Sequence, residues 1–162
     1  MRPNETSCVM TVDGTDCRIQ EPSPFNSMWY SHKFRGPGLR YEIGVSISKG
    51  HIVWVNGPYP CGSYPDVKIF RDGLKKELLP GEVVLADRGY SDERCVLVAP
   101  GKDSRTSSLL RARHESLNCR IKSFKATSDV FRHSLSKHSS VFHAVSNICQ
   151  ISILEGSELF SL

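Results

Sequence analysis

No run of about 18 apolar residues occurs anywhere in the 162-residue chain, which excludes a single membrane-spanning helix. The first residues, Met1-Arg2-Pro3-Asn4-Glu5, lack the apolar centre of a secretory leader. The six cysteines (Cys8, Cys17, Cys61, Cys95, Cys119, Cys149) contain no C-x-x-C pair. That spacing argues against a zinc ribbon or a thiol redox motif, and reads as reduced thiols of the cytosol or nucleus. Internal repeats and low-complexity stretches are also missing. Net charge is small at +4, but it is unevenly spread. Residues 1–100 carry 12 basic and 12 acidic side chains, whereas residues 101–138 carry 9 basic against 3 acidic. A local basic segment is a footprint for a polyanion, and equally what a solvated helix face carries.

The length suits one domain with a sizeable core. Ser7 to Val12 is β-prone and runs into Asp13-Gly14-Thr15-Asp16, which reads as a strand ending in a turn. Residues 21–38 are rich in proline, serine and aromatics and read as a long ordered loop. Leu39–Ser48 and His51–Asn56 flank Lys49-Gly50 as a hairpin, and Asn56-Gly57-Pro58 is expected to break the second strand. Asp66–Leu79 has helical apolar spacing (Val67, Phe70, Leu74, Leu78), with Pro65 ahead of it and Pro80-Gly81 behind. Val83–Ala86 and Cys95–Val98 read as short buried strands. A helix follows from about Ser107 to Phe124, with Leu110, Leu117, Ile121 and Phe124 on one stripe. A last helix runs from about Phe131 or Ser139 to Leu154, using Val141, Val145, Ile148, Ile151 and Ile153. This order points to an α/β (α+β) domain: a mixed five-stranded sheet with helices on both faces. About 155–162 forms a tail.

The chemistry gathers around Ala86-Asp87-Arg88-Gly89-Tyr90. An acid at the end of a buried strand, aimed into a turn, is one way to hold a carboxylate rigidly; an Asp that merely closes a turn is the plainer alternative. Asp13 repeats the arrangement. Glu115 supplies a third acid on the helix, sharing a face with Asn118 and Lys122. Among its arginines, Glu115 alone would read as a surface ion-pair network. Three convergent carboxylates repel one another and call for a cation. Oxygen-only ligands favour Mg²⁺ or Mn²⁺, and two such ions about 3.5–4 Å apart can clamp both oxygens of an in-line phosphoryl displacement. Arg111, Arg113, Arg120 and Lys122 would then contact DNA phosphates.

Four stretches in order resemble the catalytic domain of DDE-type transposases (DDE superfamily endonucleases), in particular the PIF/Harbinger-like group. They are Val12-Asp13-Gly14-Thr15, Gly62-Ser63-Tyr64-Pro65-Asp66, Ala86-Asp87-Arg88-Gly89-Tyr90, and Arg113-His114-Glu115-Ser116-Leu117-Asn118 with Lys122 after it. The resemblance implies a ribonuclease H-like fold and one endonuclease catalytic domain over 1–162. It implies Asp13, Asp87 and Glu115 as the catalytic, metal-binding triad for DNA strand cleavage and joining with Mg²⁺ or Mn²⁺, two ions in all. Asp66 matches a supporting acid that would cap or orient the following helix, Asn118 is a second supporting residue, and Asp16 is the weaker alternative to Asp13. The acid separations, 74 and 28 residues, suit the family. Only 12 residues precede Asp13, so the helix-turn-helix region usual in the family is expected to be absent. A separate DNA-binding protein would then supply target recognition. The resemblance also implies residence in the nucleus. A non-catalytic DNA- or protein-binding module, from a domesticated or degenerate transposase, is the alternative function.

Overall fold

The computed structural model describes residues 7–90, 94–98 and 105–159. Its strands are β1 (Ser7–Arg18), β2 (Tyr30–Ser31), β3 (Gly36–Ser46), β4 (Ile52–Pro60), β5 (Glu82–Ala86) and β6 (Val96–Val98). Its helices are α1 (Asp66–Asp72), α2 (Arg105–Lys122), α3 (Lys125–Ser128) and α4 (His138–Leu154). The long strands lie in the order β4-β3-β1-β5-β6, and the two-residue β2 joins the start of β3. β1, β3 and β4 are antiparallel neighbours, while β5 runs parallel to β1 and β6 parallel to β5. The mixed five-stranded sheet read from the sequence is present, with β2 as a short addition.

Period-2 alternation divides β1 and β3 between two faces. Cys17, Leu39, Tyr41, Ile43 and Val45 pack with Leu117 and Ile121 of α2 and with Phe142, Val145, Cys149 and Ile153 of α4. Val12, Val84 and Ala86 pack on the opposite face with Phe70 of α1, Leu74 and Tyr90. Helices therefore cover both faces of the sheet.

Several boundaries differ from the sequence reading. β1 does not stop at Val12. Antiparallel pairing carries it through Asp13↔Ile43, Gly14↔Glu42 and Asp16↔Arg40 to Arg18↔Gly38, so a full strand partner overrides the turn propensity of Asp-Gly. β4 likewise runs past Asn56-Gly57-Pro58 to Pro60, irregularly, with shifts of register against β3. Part of the long loop is ordered as β2 and a hairpin turn. The first helix is cut at Asp72, because Gly73 caps it with φ −117° and ψ −101°, and a 3-10 turn at Leu74–Lys76 follows. The inward stripe of α4 is His138, Phe142, Val145, Ser146, Cys149 and Ile153. Ile148 and Ile151, expected inside, are exposed.

Candidate active site

β1 and β5 pair in parallel as far as Thr11↔Leu85. Two residues further along each strand stand Asp13 and Asp87, at the level where β5 has ended at Ala86. From there the β5 side of β1 has no strand partner among the described residues. The divergence opens the edge of the central strand beside two carboxylates on neighbouring chains.

Asp13 sits within β1, not at its end. Its Oδ1 accepts the Gly14 N–H at 2.8 Å, and its Oδ2 accepts from Asn118 Nδ2 at 3.3 Å. Burial raises its pKa and the Asp87 charge raises it further; Lys33, the Gly14 N–H and Asn118 act against that rise without cancelling it. Asp87 is exposed, and its Oδ1 accepts the Gly89 N–H at 2.7 Å in a tight turn. A Cβ at position 89 would meet that oxygen at 2.9 Å and Asp66 Oδ2 at 3.6 Å. Glycine there leaves the Asp87 carboxylate room to fold back onto its turn.

Asp66 reaches the same place from α1. It does not act as the side-chain cap of its own helix: Pro65 is the N-cap residue, and Asp66 Oδ1 takes no hydrogen bond but lies 3.4 Å from Arg40 Nε. A Cβ on Gly14 would sit 2.1 Å from that Oδ1, so only glycine in β1 lets Asp66 close down on the strand. Burial is the first cause of its raised pKa, and the charges of Asp13 and Asp16 add to it, with Arg40 and Lys33 opposing.

Asp16 belongs to a different arrangement. It faces away from Asp13's side of the sheet and is gripped by Arg40 through Nε–H···Oδ1 at 2.7 Å and Nη2–H···Oδ2 at 2.9 Å, with Ser31 Oγ donating to Oδ2 at 2.5 Å. Burial alone would raise its pKa, but the bonds from Arg40 and Ser31 outweigh it and the net shift is downward. A carboxylate so satisfied is a structural ion pair, not a free ligand. It lies inside β1 and not past the strand end.

α2 is aligned along β1 by three contacts one turn apart. His114 Nδ1 lies 3.1 Å from Thr11 Oγ1, Asn118 reaches Asp13, and Lys122 Nζ donates to the Asp16 carbonyl at 2.6 Å. Glu115 is exposed on the flank of this face, three residues before Asn118. Among the described residues no group of three or more His, Cys, Asp or Glu side chains is close enough together to hold a metal ion. Asp13, Asp87 and Glu115 therefore do not form a closed three-carboxylate cage here. In kind, however, the oxygen donors at this edge suit a hard divalent cation, and the glycine cradles at 14 and 89 keep the space beside their carboxylates free of side chain.

Most of the expected phosphate contacts are engaged elsewhere. Lys122 bonds to Asp16 O, to Cys17 Sγ at 3.1 Å and to Thr127 O at 3.0 Å. Arg113, buried, donates to Ile47 O at 2.7 Å. Arg120 holds the carbonyls of Ser157 and Glu158. All three fasten α2 to the rest of the chain, because a helix beside a sheet edge and a returning tail must satisfy buried carbonyls. Arg111 is exposed. The sequence reading missed Lys33, Arg40 and Glu42. Arg40 had a signal, since it falls opposite Asp16 in the β1–β3 register. Lys33 had none, because the segment read as loop. Glu42 is fully buried, donated to by Trp54 Nε1 at 2.9 Å, and burial pushes its pKa up to about 7.

Residues 12–151 match the family described as DDE superfamily endonuclease. No curated protein and no solved structure gave a significant match. With the match spanning most of the sequence and the sheet order β4-β3-β1-β5-β6 setting Asp13 in β1 and Asp87 just past the end of β5, the chain belongs to the DDE superfamily endonucleases, and its mixed α+β domain is ribonuclease H-like.

Proposed function

We propose that this domain cleaves, and in a complete system joins, DNA strands in the manner of a Harbinger-like transposase. The reading makes Asp13, Asp87 and Glu115 ligands of Mg²⁺ or Mn²⁺, with Asp66 and Asn118 in support. The observation that carries it is that Asp13 and Asp87 each stand two residues past Thr11↔Leu85, the last β1–β5 pair, where β5 has ended. The Asp87 charge raises the cost of ionising Asp13, and a bound cation would relieve it. Divalent ions at such a site supply activation of the attacking oxygen and stabilisation of the leaving one. The chain's own residues do the rest. Asn118 and the Gly14 N–H fix the two oxygens of Asp13, the Gly89 N–H fixes Asp87, and α2 brings Glu115 to the flank of the same edge. Closing Glu115 onto the acids requires a change of its side chain or of α2, since no three-acid group is present among the described residues.

A second reading rests on a specific observation. Arg113, Arg120 and Lys122 hold backbone carbonyls, which leaves α2 with less free positive charge than its sequence promises. A domain that keeps the fold but binds DNA or protein without cutting would fit that. The two readings separate in a plasmid-nicking assay. Cleavage that needs Mg²⁺ or Mn²⁺ and falls at least about a thousandfold in Asp87→Asn supports the nuclease. DNA binding indifferent to EDTA, with no nicking by a well-folded protein, supports the binding module.

A further inference from the structure

The hairpin turn between β2 and β3 delivers a cation to the acid site from outside the basic helix. Lys33 Nζ donates to the Gly14 carbonyl at 2.6 Å, one residue from Asp13. Its position is set by a closed circuit of bonds. Arg40 holds Asp16, Asp16 accepts from Ser31 Oγ at 2.5 Å, and Ser31 Oγ in turn accepts the Lys33 N–H at 3.2 Å. Ser31 is fully buried, so the root of the lysine is fixed while the side chain itself is exposed. The charge of Lys33 acts on Asp13, Asp16 and Asp66 together, favouring the ionised form of each. Arg40 is taken up by Asp16, Asp66 and the Tyr64 carbonyl, Arg113 by carbonyls, and Lys122 by carbonyls and the Cys17 sulfur. An ammonium has three donors, and the bond to a single carbonyl leaves Lys33 able to take a phosphate oxygen as a point charge.

We propose that Lys33 is the phosphate-holding residue of this site, placing a backbone phosphate of the DNA strand beside Asp13 and Asp66. The inference rests on the nuclease reading and adds a residue to it. It carries a signature that a purely structural lysine lacks. A cation beside carboxylates repels a metal ion, so its loss strengthens metal binding while weakening that of the nucleic acid.

The test uses the full chain with Mn²⁺ alone and with a single-stranded oligonucleotide, on wild type, Lys33→Met and Lys33→Arg, each checked for a cooperative melting transition. The Met variant is expected to bind the oligonucleotide about tenfold more weakly, with the slope of log K against log salt reduced by about one. Its Mn²⁺ affinity is expected to rise severalfold, and Lys33→Arg is expected to restore most of the oligonucleotide affinity. Unchanged oligonucleotide binding in Lys33→Met, with wild type binding Mn²⁺, overturns the role of Lys33 alone. So does parallel loss of oligonucleotide and Mn²⁺ binding in both variants, which marks a structural strut. Absence of Mn²⁺ binding in wild type overturns the acid-site reading and this inference with it.

Discussion

Asp13 and Asp16 stand three residues apart on one strand and lead opposite lives. Asp16 faces α1, where Arg40 and Ser31 satisfy it and hold its carboxyl below the usual range. Asp13 faces α2, where a neutral amide donates to it and its carboxyl is held above the usual range by burial and by Asp87. Identical side chains on the same β-strand are satisfied to different degrees by the face they fall on. A charge left short of a counter-charge at a sheet edge is where a cation has something to gain.

The sharpest way to break this contrast is to remove Asp16. Asp16→Ala leaves the Arg40 guanidinium buried beside Asp66 alone, and is expected to cost about 3–5 kcal/mol of stability, measured by urea unfolding. The corresponding loss at Asp13 is expected to be absent. Asp13→Asn in the metal-free protein removes a charge that Asp87 opposes, so its stability should equal or exceed wild type by up to about 1 kcal/mol. A large loss in Asp13→Asn would erase the distinction.

Glu42 extends the comparison to pH. Its folded pKa of about 7 lies above its ordinary value of 4.5. The folded state therefore holds that proton more tightly than the unfolded chain, and the stabilisation is complete below about 4.5 and lost as pH rises through about 7. Glu42→Gln keeps an acceptor for Trp54 and should gain on wild type by about 2–3 kcal/mol between pH 5 and pH 8.5, read from paired melting curves. His114 works in the opposite direction. Burial lowers its pKa to about 4, so its contribution is lost as pH falls from about 6.5 towards 4. A smaller effect is expected at Asn118. Asn118→Ala frees Asp13 Oδ2 and should weaken Mn²⁺ binding by about 10–100-fold with little change in melting temperature, and the binding is read by calorimetry.

Much of this was legible in the sequence. Asp87 was read from an apolar run ending in Asp-Arg-Gly, and Asp13 from the same pattern upstream, because strand and turn chemistry are local. The length of β1 was not. Asp13-Gly14-Thr15-Asp16 carries turn propensity, and only its nine-residue pairing with β3, Met10↔Ser46 to Arg18↔Gly38, keeps it extended. The wrong stripe on α4 has a related cause: Ile148 and Ile151 are as apolar as the buried Cys149 and Ile153, and only packing against α2 and the sheet chooses between them. Sequence could also not tell which cations of α2 face inward. Lys122 and Arg113 look like phosphate ligands in a basic run, yet the backbone carbonyls they satisfy come from β1 and the β3–β4 turn. Lys33 was hidden for the converse reason, since its route to Gly14 depends on a buried Ser31 and a hairpin that no local pattern announced.

The most direct measurement is calorimetric titration of Mn²⁺ into the metal-free wild type and into Asp13→Asn, Asp87→Asn and Asp16→Asn, the last at a temperature where it stays folded. Saturable binding in wild type that is lost in the Asp13 and Asp87 variants and retained in the Asp16 variant is the expected result. Binding that is absent in wild type, or that survives Asp87→Asn unchanged, would contradict the assignment of this edge as the metal site of a strand-cleaving endonuclease.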